Sequence, residues 1–243
     1  ALVPNERGMQ SALDANQASR RHVIEKVSVF TAASETFSQK NTNASIAETI
    51  ERFRPVIDSA HMQGLTVRGY VSCVIACPFE GPIDPSKVAE VSKALTDIGV
   101  DELDLGDTIG AGSRESTGAM LRAVDRVAPI TGGRVPITLH LHDTFGRAAD
   151  CVRAALDEGV RTFDASQGGL GGCPYASKRL PDGTIQRAPG NISTELLVQT
   201  IHDAGYRTNV NLDKLREAAA FAREIVAKSR AAASTSSSGG TPA

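Results

Sequence analysis

The chain has 243 residues, 41% of them hydrophobic, and carries 26 Lys and Arg against 28 Asp and Glu, a formal charge of -2. That length and apolar content suit one globular domain with a sizeable core. The near-neutral balance, without any local block of like charge, excludes an electrostatic footprint for nucleic acid or an anionic membrane, and no apolar run could span a bilayer, so a small-molecule function is expected.

The opening "ALVPNERG" carries neither a signal-peptide nor a transit-peptide pattern. It also does not look like a natural start, because there is no Met and the chain begins inside an apolar run. From there, β-rich runs recur roughly every 30 to 40 residues, the length of one βα unit. They fall at 1–3, 24–30, 66–72, 101–107, 136–142 and 161–166, which predicts six strands. Between them lie amphipathic helical patterns. Residues 45–62 open with Ser45 and Glu48 at capping-box spacing and place Ile46, Ile50, Phe53 and Ile57 on one face. Residues 84–99 start with Asp84 and Pro85 and stop at Gly99; 145–159, 193–205 and about 211–228 complete the set. The segment from Ser229 to Ala243 is small, polar and glycine-containing, so it is read as a disordered tail behind a domain of residues 1–228.

Strict strand–helix alternation predicts a parallel sheet covered by helices, the α/β class. An open doubly wound sheet needs a Gly-rich turn after an early strand, and none follows the first two. A (β/α)8 TIM barrel instead gathers chemically able residues at the C-terminal ends of several strands. Asn5, Glu35, Ser72, Cys73, Asp107, Thr108, His140, His142, Asp143, Asp164 and Ser166 all fall there. A barrel is therefore expected, with about six of its eight units in this chain and the other two preceding residue 1.

In "PITLHLHD" (136–143), His140 and His142 are two apart on a strand and point to the same side. Two readings are open: half of a divalent-metal site, or two histidines hydrogen-bonded inside a polar barrel mouth. Their pairing at a strand end favours the metal. Asp143 is one residue out of phase and enters a helical pattern at once, so it is expected to cap that helix rather than to join the pair. Further on, "SQGGLGGCPYA" (166–176) sets four glycines around Cys173, a loop able to carry a reactive thiol. The four cysteines, Cys73, Cys77, Cys151 and Cys173, are too few and too scattered to make a disulfide framework, which points to an intracellular, reducing setting, and Cys73 and Cys77 have no second pair to complete a zinc set.

Four segments in order, "RGYVSCVIACPFEG" (68–81), "LGDTIG" (105–110), "HLHDTFG" (140–146) and "GGLGGCPYA" (168–176), closely resemble the 3-hydroxy-3-methylglutaryl-CoA lyases, a branch of the metal-dependent barrel lyases. The likeness covers residues 1 to about 226. It implies that His140, His142 and Asn191 are metal ligands and that Cys173 is the catalytic thiol, with His140 also part of the chemistry. It places Asp107, Thr108 and Tyr70 at the substrate end of the pocket. It implies Mg²⁺ or Mn²⁺, because the ligation is by nitrogen and oxygen without thiolate. An acyl-CoA is the implied substrate, a homodimer is a family expectation only, and bacterial cytoplasm and mitochondrial matrix are not distinguished. The family's Arg-Asp-Gly element, which brings a fourth ligand and a catalytic Arg, is absent. Gln167 stands where the family has Val, and residues 177–189 form a longer, more polar connection; both could mark a related acyl-CoA substrate. The alternatives are a Claisen-type synthase of the same superfamily and a non-catalytic barrel fragment.

Overall fold

The computed structural model describes residues 1–172, 178–179, 185–186 and 190–237. Its central element is a parallel sheet in the order β1 (Lys26–Ala32), β2 (Thr66–Ser72), β5 (Glu102–Asp107), β6 (Ile137–Leu141) and β7 (Thr162–Asp164). Two short antiparallel pairs lie outside it: β3 (Ala76–Cys77) with β4 (Gly81–Pro82), and β8 (Lys178–Arg179) with β9 (Ile185–Gln186). Five of the six expected strands are thus ladder strands. The expected first one is reduced to Leu2, which makes a single parallel bridge to Ser28 beside β1. Among the described residues the sheet stays open between that bridge and β7.

Helices cover the crossovers: α1 (Glu6–Ala18), α2 (Glu35–Thr42), α3 (Ile46–Met62), α4 (Pro85–Asp97), α5 (Arg114–Asp125), α6 (Ala148–Asp157), α7 (Thr194–Asp203) and α8 (Leu212–Ser237). The expected capping box is present, with Ser45 Oγ accepting from Glu48 N and the Glu48 carboxylate accepting from Ser45 N. Asp84 caps α4 ahead of Pro85, and Ser193 caps α7. Helices α1, α2 and α5, which are polar on average, lie outside the amphipathic patterns read from the sequence. Two polar residues read at strand ends belong to helix starts instead: Asn5 caps α1 through Gly8 N, and the Glu35 carboxylate accepts from Ile46 N at the head of α3. Helix α8 continues past Lys228, where the amphipathic pattern stops, through Ala231–Ala233, residues of the highest helix propensity.

Side chains alternate across the sheet. Val27, Val29, Val67, Val71, Leu103, Leu105, Ile137, Leu139 and Leu141 join Phe53, Ile57, Leu95, Leu121 and Val152 of the helices in one buried core, each such residue contributing about 1.5–3 kcal/mol. The opposite face is polar: Lys26, Arg68, Tyr70, Glu102, Asp104, Thr138, His140 and Asp164. A slip of one residue would bury these charges among the helices and expose the leucines, so the alternation fixes the register.

Candidate active site

The register stacks the polar face in layers. Arg68 lies opposite Glu102, Tyr70 opposite Asp104, and His140 opposite Asp164. The Arg68 guanidinium reaches along this face, meeting Glu102 at 2.6 Å, Asp104 at 2.9 Å and both oxygens of Asp164 at 3.0 and 3.1 Å. It also donates to the Tyr70 hydroxyl at 3.2 Å, while Lys26 approaches Glu102 at 2.5 Å and Thr138 donates to Glu102 at 2.7 Å.

Burial works against charge here, and the network answers it unequally. Asp104 is fully buried, and burial and the adjacent Asp164 carboxylate push its pKa up to about 9, against the pull of Arg68. For Asp164 burial also opposes ionisation, but hydrogen bonds involving His140, Asp104 and Arg68, together with the Arg68 charge, hold it well below the ordinary carboxylate range. Glu102 is lowered in the same way, against burial, by Lys26, Thr138 and Arg68. Lys26 and Arg68 thus stand among Glu102, Asp104 and Asp164, so the charges of this interior largely offset one another. Ligand atoms of Asp104, His140 and Asp164 lie within 4.8 Å of one another, a group that could hold a metal ion. The Arg68 guanidinium already supplies positive charge to both of those carboxyls.

One layer up, His140 and His142 face each other with ring centroids 5.5 Å apart. His142 also pairs with Asn191 in an antiparallel bridge, flanked by Ile192 N donating to Leu141 O and Asp143 N donating to Gly190 O. The segment at 190–192 therefore extends β6 and carries Asn191 to the pair, bringing together the three residues expected as ligands. His142 is 8% exposed; burial and its neighbour His140 pull its pKa down to about 4, so the imidazole is neutral at pH 7. Among the described residues its Nδ1 is buried without a hydrogen-bond partner, and so is Asn191 Oδ1. Orphaned buried polar atoms cost desolvation energy unless something satisfies them. An imidazole nitrogen and an amide oxygen suit a divalent cation, so these residues fit one.

Asp143 stays outside the set: its Oδ1 accepts from Ala148 N at 3.0 Å, capping the first turn of α6. Asp107 is buried and spends both oxygens on its own loop, accepting from Ala111 N at 3.0 Å and Gly112 N at 2.7 Å; burial raises its pKa against these bonds. Thr108 Oγ1 accepts from Cys73 N at 2.7 Å, and Tyr70 is tied to Arg68. Gln167 donates to Leu215 O at 2.9 Å and so docks α8 against the glycine turn. Cys173 lies outside the described residues. Sequence reasoning passed over Lys26, Arg68, Glu102 and Asp104, although a signal was present: each alternates with Val or Leu inside a strand read as buried.

A polar-lined β/α barrel sheet with ligand-type side chains at the C-terminal end of β6 defines a barrel protein of the kind that builds its site at the strand ends. The chain belongs to the HMGL-like family, whose model matches residues 3–222. It is 45% identical over 220 residues to the mitochondrial hydroxymethylglutaryl-CoA lyase of Bos taurus, covering 90% of this chain and 62% of that protein. It is 43% identical to the hydroxymethylglutaryl-CoA lyase of Pseudomonas mevalonii, covering 89% and 65%. The chain thus spans less than two thirds of the length of these two relatives. Among solved structures, the HMG-CoA lyase from Brucella melitensis superposes with a TM-score of 0.80 at 44% identity, over 92% of this chain and 72% of that one. The carboxyl transferase domain of Rhizobium etli pyruvate carboxylase, at 15% identity and a TM-score of 0.61 over 90% of this chain and 32% of that one, shares the fold alone. No helix among the described residues is long and apolar enough to cross a membrane.

Proposed function

We propose that the protein cleaves 3-hydroxy-3-methylglutaryl-CoA to acetyl-CoA and acetoacetate by a retro-Claisen reaction. The observation that carries this reading is the pair of unsatisfied buried atoms, His142 Nδ1 and Asn191 Oδ1, beside His140. The two lyases above, at 43–45% identity, support the choice of substrate.

His140, His142 and Asn191 would hold a divalent cation, Mg²⁺ or Mn²⁺. Such an ion supplies Lewis acidity toward the substrate's alcohol and carbonyl oxygens. The tertiary alcohol must give its proton to a general base, the C2–C3 bond must break to leave a ketone, and that bond's electron pair must pass to the thioester enolate carbon, which then takes a proton from a general acid. We assign the proton at that carbon to the Cys173 thiol. His140 is 32% exposed at its side chain and has its Nδ1 3.5 Å from Asp164 Oδ2; we assign it a second role, in the chemistry, beside its role as a ligand. Tyr70, Asp107 and Thr108 shape the substrate end, Asp107 and Thr108 by fixing the backbone around themselves.

A second reading is a non-catalytic portion of a barrel, in keeping with the sheet edges left open among the described residues. Incubation with 3-hydroxy-3-methylglutaryl-CoA and Mn²⁺ separates the two: acetoacetate release supports the lyase, and its absence from protein that binds Mn²⁺ supports the portion.

A further inference from the structure

We infer that the glycine turn at residues 169–171 is a positioning element for Asn191, its Leu170 carbonyl fixing the side-chain amide so that Oδ1 is presented to the metal site beside His142. This rests on the metal reading above and goes beyond it, because it assigns a task to backbone outside the proposed ligand set.

The argument begins with Asn191 Nδ2, which donates to Leu170 O at 2.8 Å. A carbonyl oxygen can only accept, so this bond decides which end of the amide faces which way. The NH₂ end is committed to the turn, and the oxygen, the only end able to ligate a cation, is left buried and without a partner. Without the Leu170 carbonyl, a half-turn about the last side-chain bond would offer the site an NH₂ group, which cannot serve.

Close approach of two backbones makes the bond possible. Gly171 sits at φ 90, and a Cβ there would lie 2.6 Å from Asn191 Nδ2. Across from it, a Cβ on Gly190 would lie 1.7 Å from Gly171 O. Any side chain at either position pushes the turn away from Asn191. The glycines therefore set the distance over which the Leu170 carbonyl reaches the amide. The turn is itself tied down, by Gly169 N donating to Ser166 O and by Ser166 bridging Ser193.

The test is a Mn²⁺ titration followed by electron paramagnetic resonance on wild type and Gly171→Ala, with far-UV circular dichroism on both. The expected result is affinity weakened about 10-fold or more, the usual cost of disturbing a group that orients a ligand, at unchanged helix content. Wild-type affinity in folded Gly171→Ala overturns the inference and leaves the metal reading standing. Absence of Mn²⁺ binding by wild type overturns the metal reading itself. Should Gly171→Ala not fold, linkage supplies a measurement on wild type alone: saturating Mn²⁺ must slow amide hydrogen exchange across residues 166–172. Exchange there that ignores Mn²⁺ overturns the inference.

Discussion

His142 and Asn191, 49 residues apart in the chain, meet in an antiparallel bridge beyond the end of β6, and each keeps one buried side-chain atom without a partner. Those two atoms are the observation on which the proposed cation site rests. His142→Ala and Asn191→Ala should each weaken Mn²⁺ binding by about 100-fold or more, read by titration against the free ion. Equal binding by wild type and His142→Ala would refute the ligand assignment.

Asp143 supplies the contrast. Its carboxylate caps α6 rather than facing His140, so Asp143→Ala should lower unfolding free energy by about 1 kcal/mol and leave Mn²⁺ affinity as it is. A large loss of affinity would place Asp143 in the metal site after all.

Arg68 is 16% exposed at its side chain and stands against Glu102, Asp104 and Asp164. Arg68→Gln strands those carboxyls in a low-dielectric interior, and the expected cost is about 3–5 kcal/mol in urea unfolding, with Arg68→Lys recovering part of it. A change below about 1 kcal/mol, the range of exposed pairs, would show that water reaches this face.

The buried His142 ring makes stability depend on pH in the metal-free protein. Its pKa is held near 4 in the folded chain, against 6.5 for an unperturbed histidine. Between those values the unfolded chain takes up a proton that the folded chain refuses, so stability present above pH 6.5 is lost as pH falls toward 4. His142→Leu should flatten that slope in denaturation midpoints measured at stepped pH. An unchanged slope would mean that other groups account for it.

Much of this was legible in the sequence, because the barrel's signals are local. Ser45 with Glu48 announced α3, Asp84 with Pro85 announced α4, and valine and leucine runs spaced by helices announced a parallel sheet. His140 and His142 could be paired from their spacing alone. Asn191 could not: its approach depends on the 190–192 segment returning to β6, a non-local event, and it entered only through family likeness. The Lys26, Arg68, Glu102 and Asp104 network was hidden for a related reason. A charged residue in a buried strand is intelligible only when its partners on neighbouring strands are known, here 34 and 36 residues along the chain from Arg68 to Glu102 and Asp104. Asp107 was visible as a strand-end carboxylate, but nothing in the sequence revealed that its oxygens hold the 107–112 loop.

The central claim is carbon–carbon cleavage with Cys173 handling the proton at the acetyl carbon. Its most direct test is acetoacetate release from 3-hydroxy-3-methylglutaryl-CoA by Mn²⁺-loaded protein, wild type against Cys173→Ala. The account predicts measurable release by wild type and a rate lowered by about 10²-fold or more in the variant, with Mn²⁺ bound equally by both. Equal rates would contradict the role of the thiol, and no acetoacetate from Mn²⁺-loaded wild type would contradict the reaction.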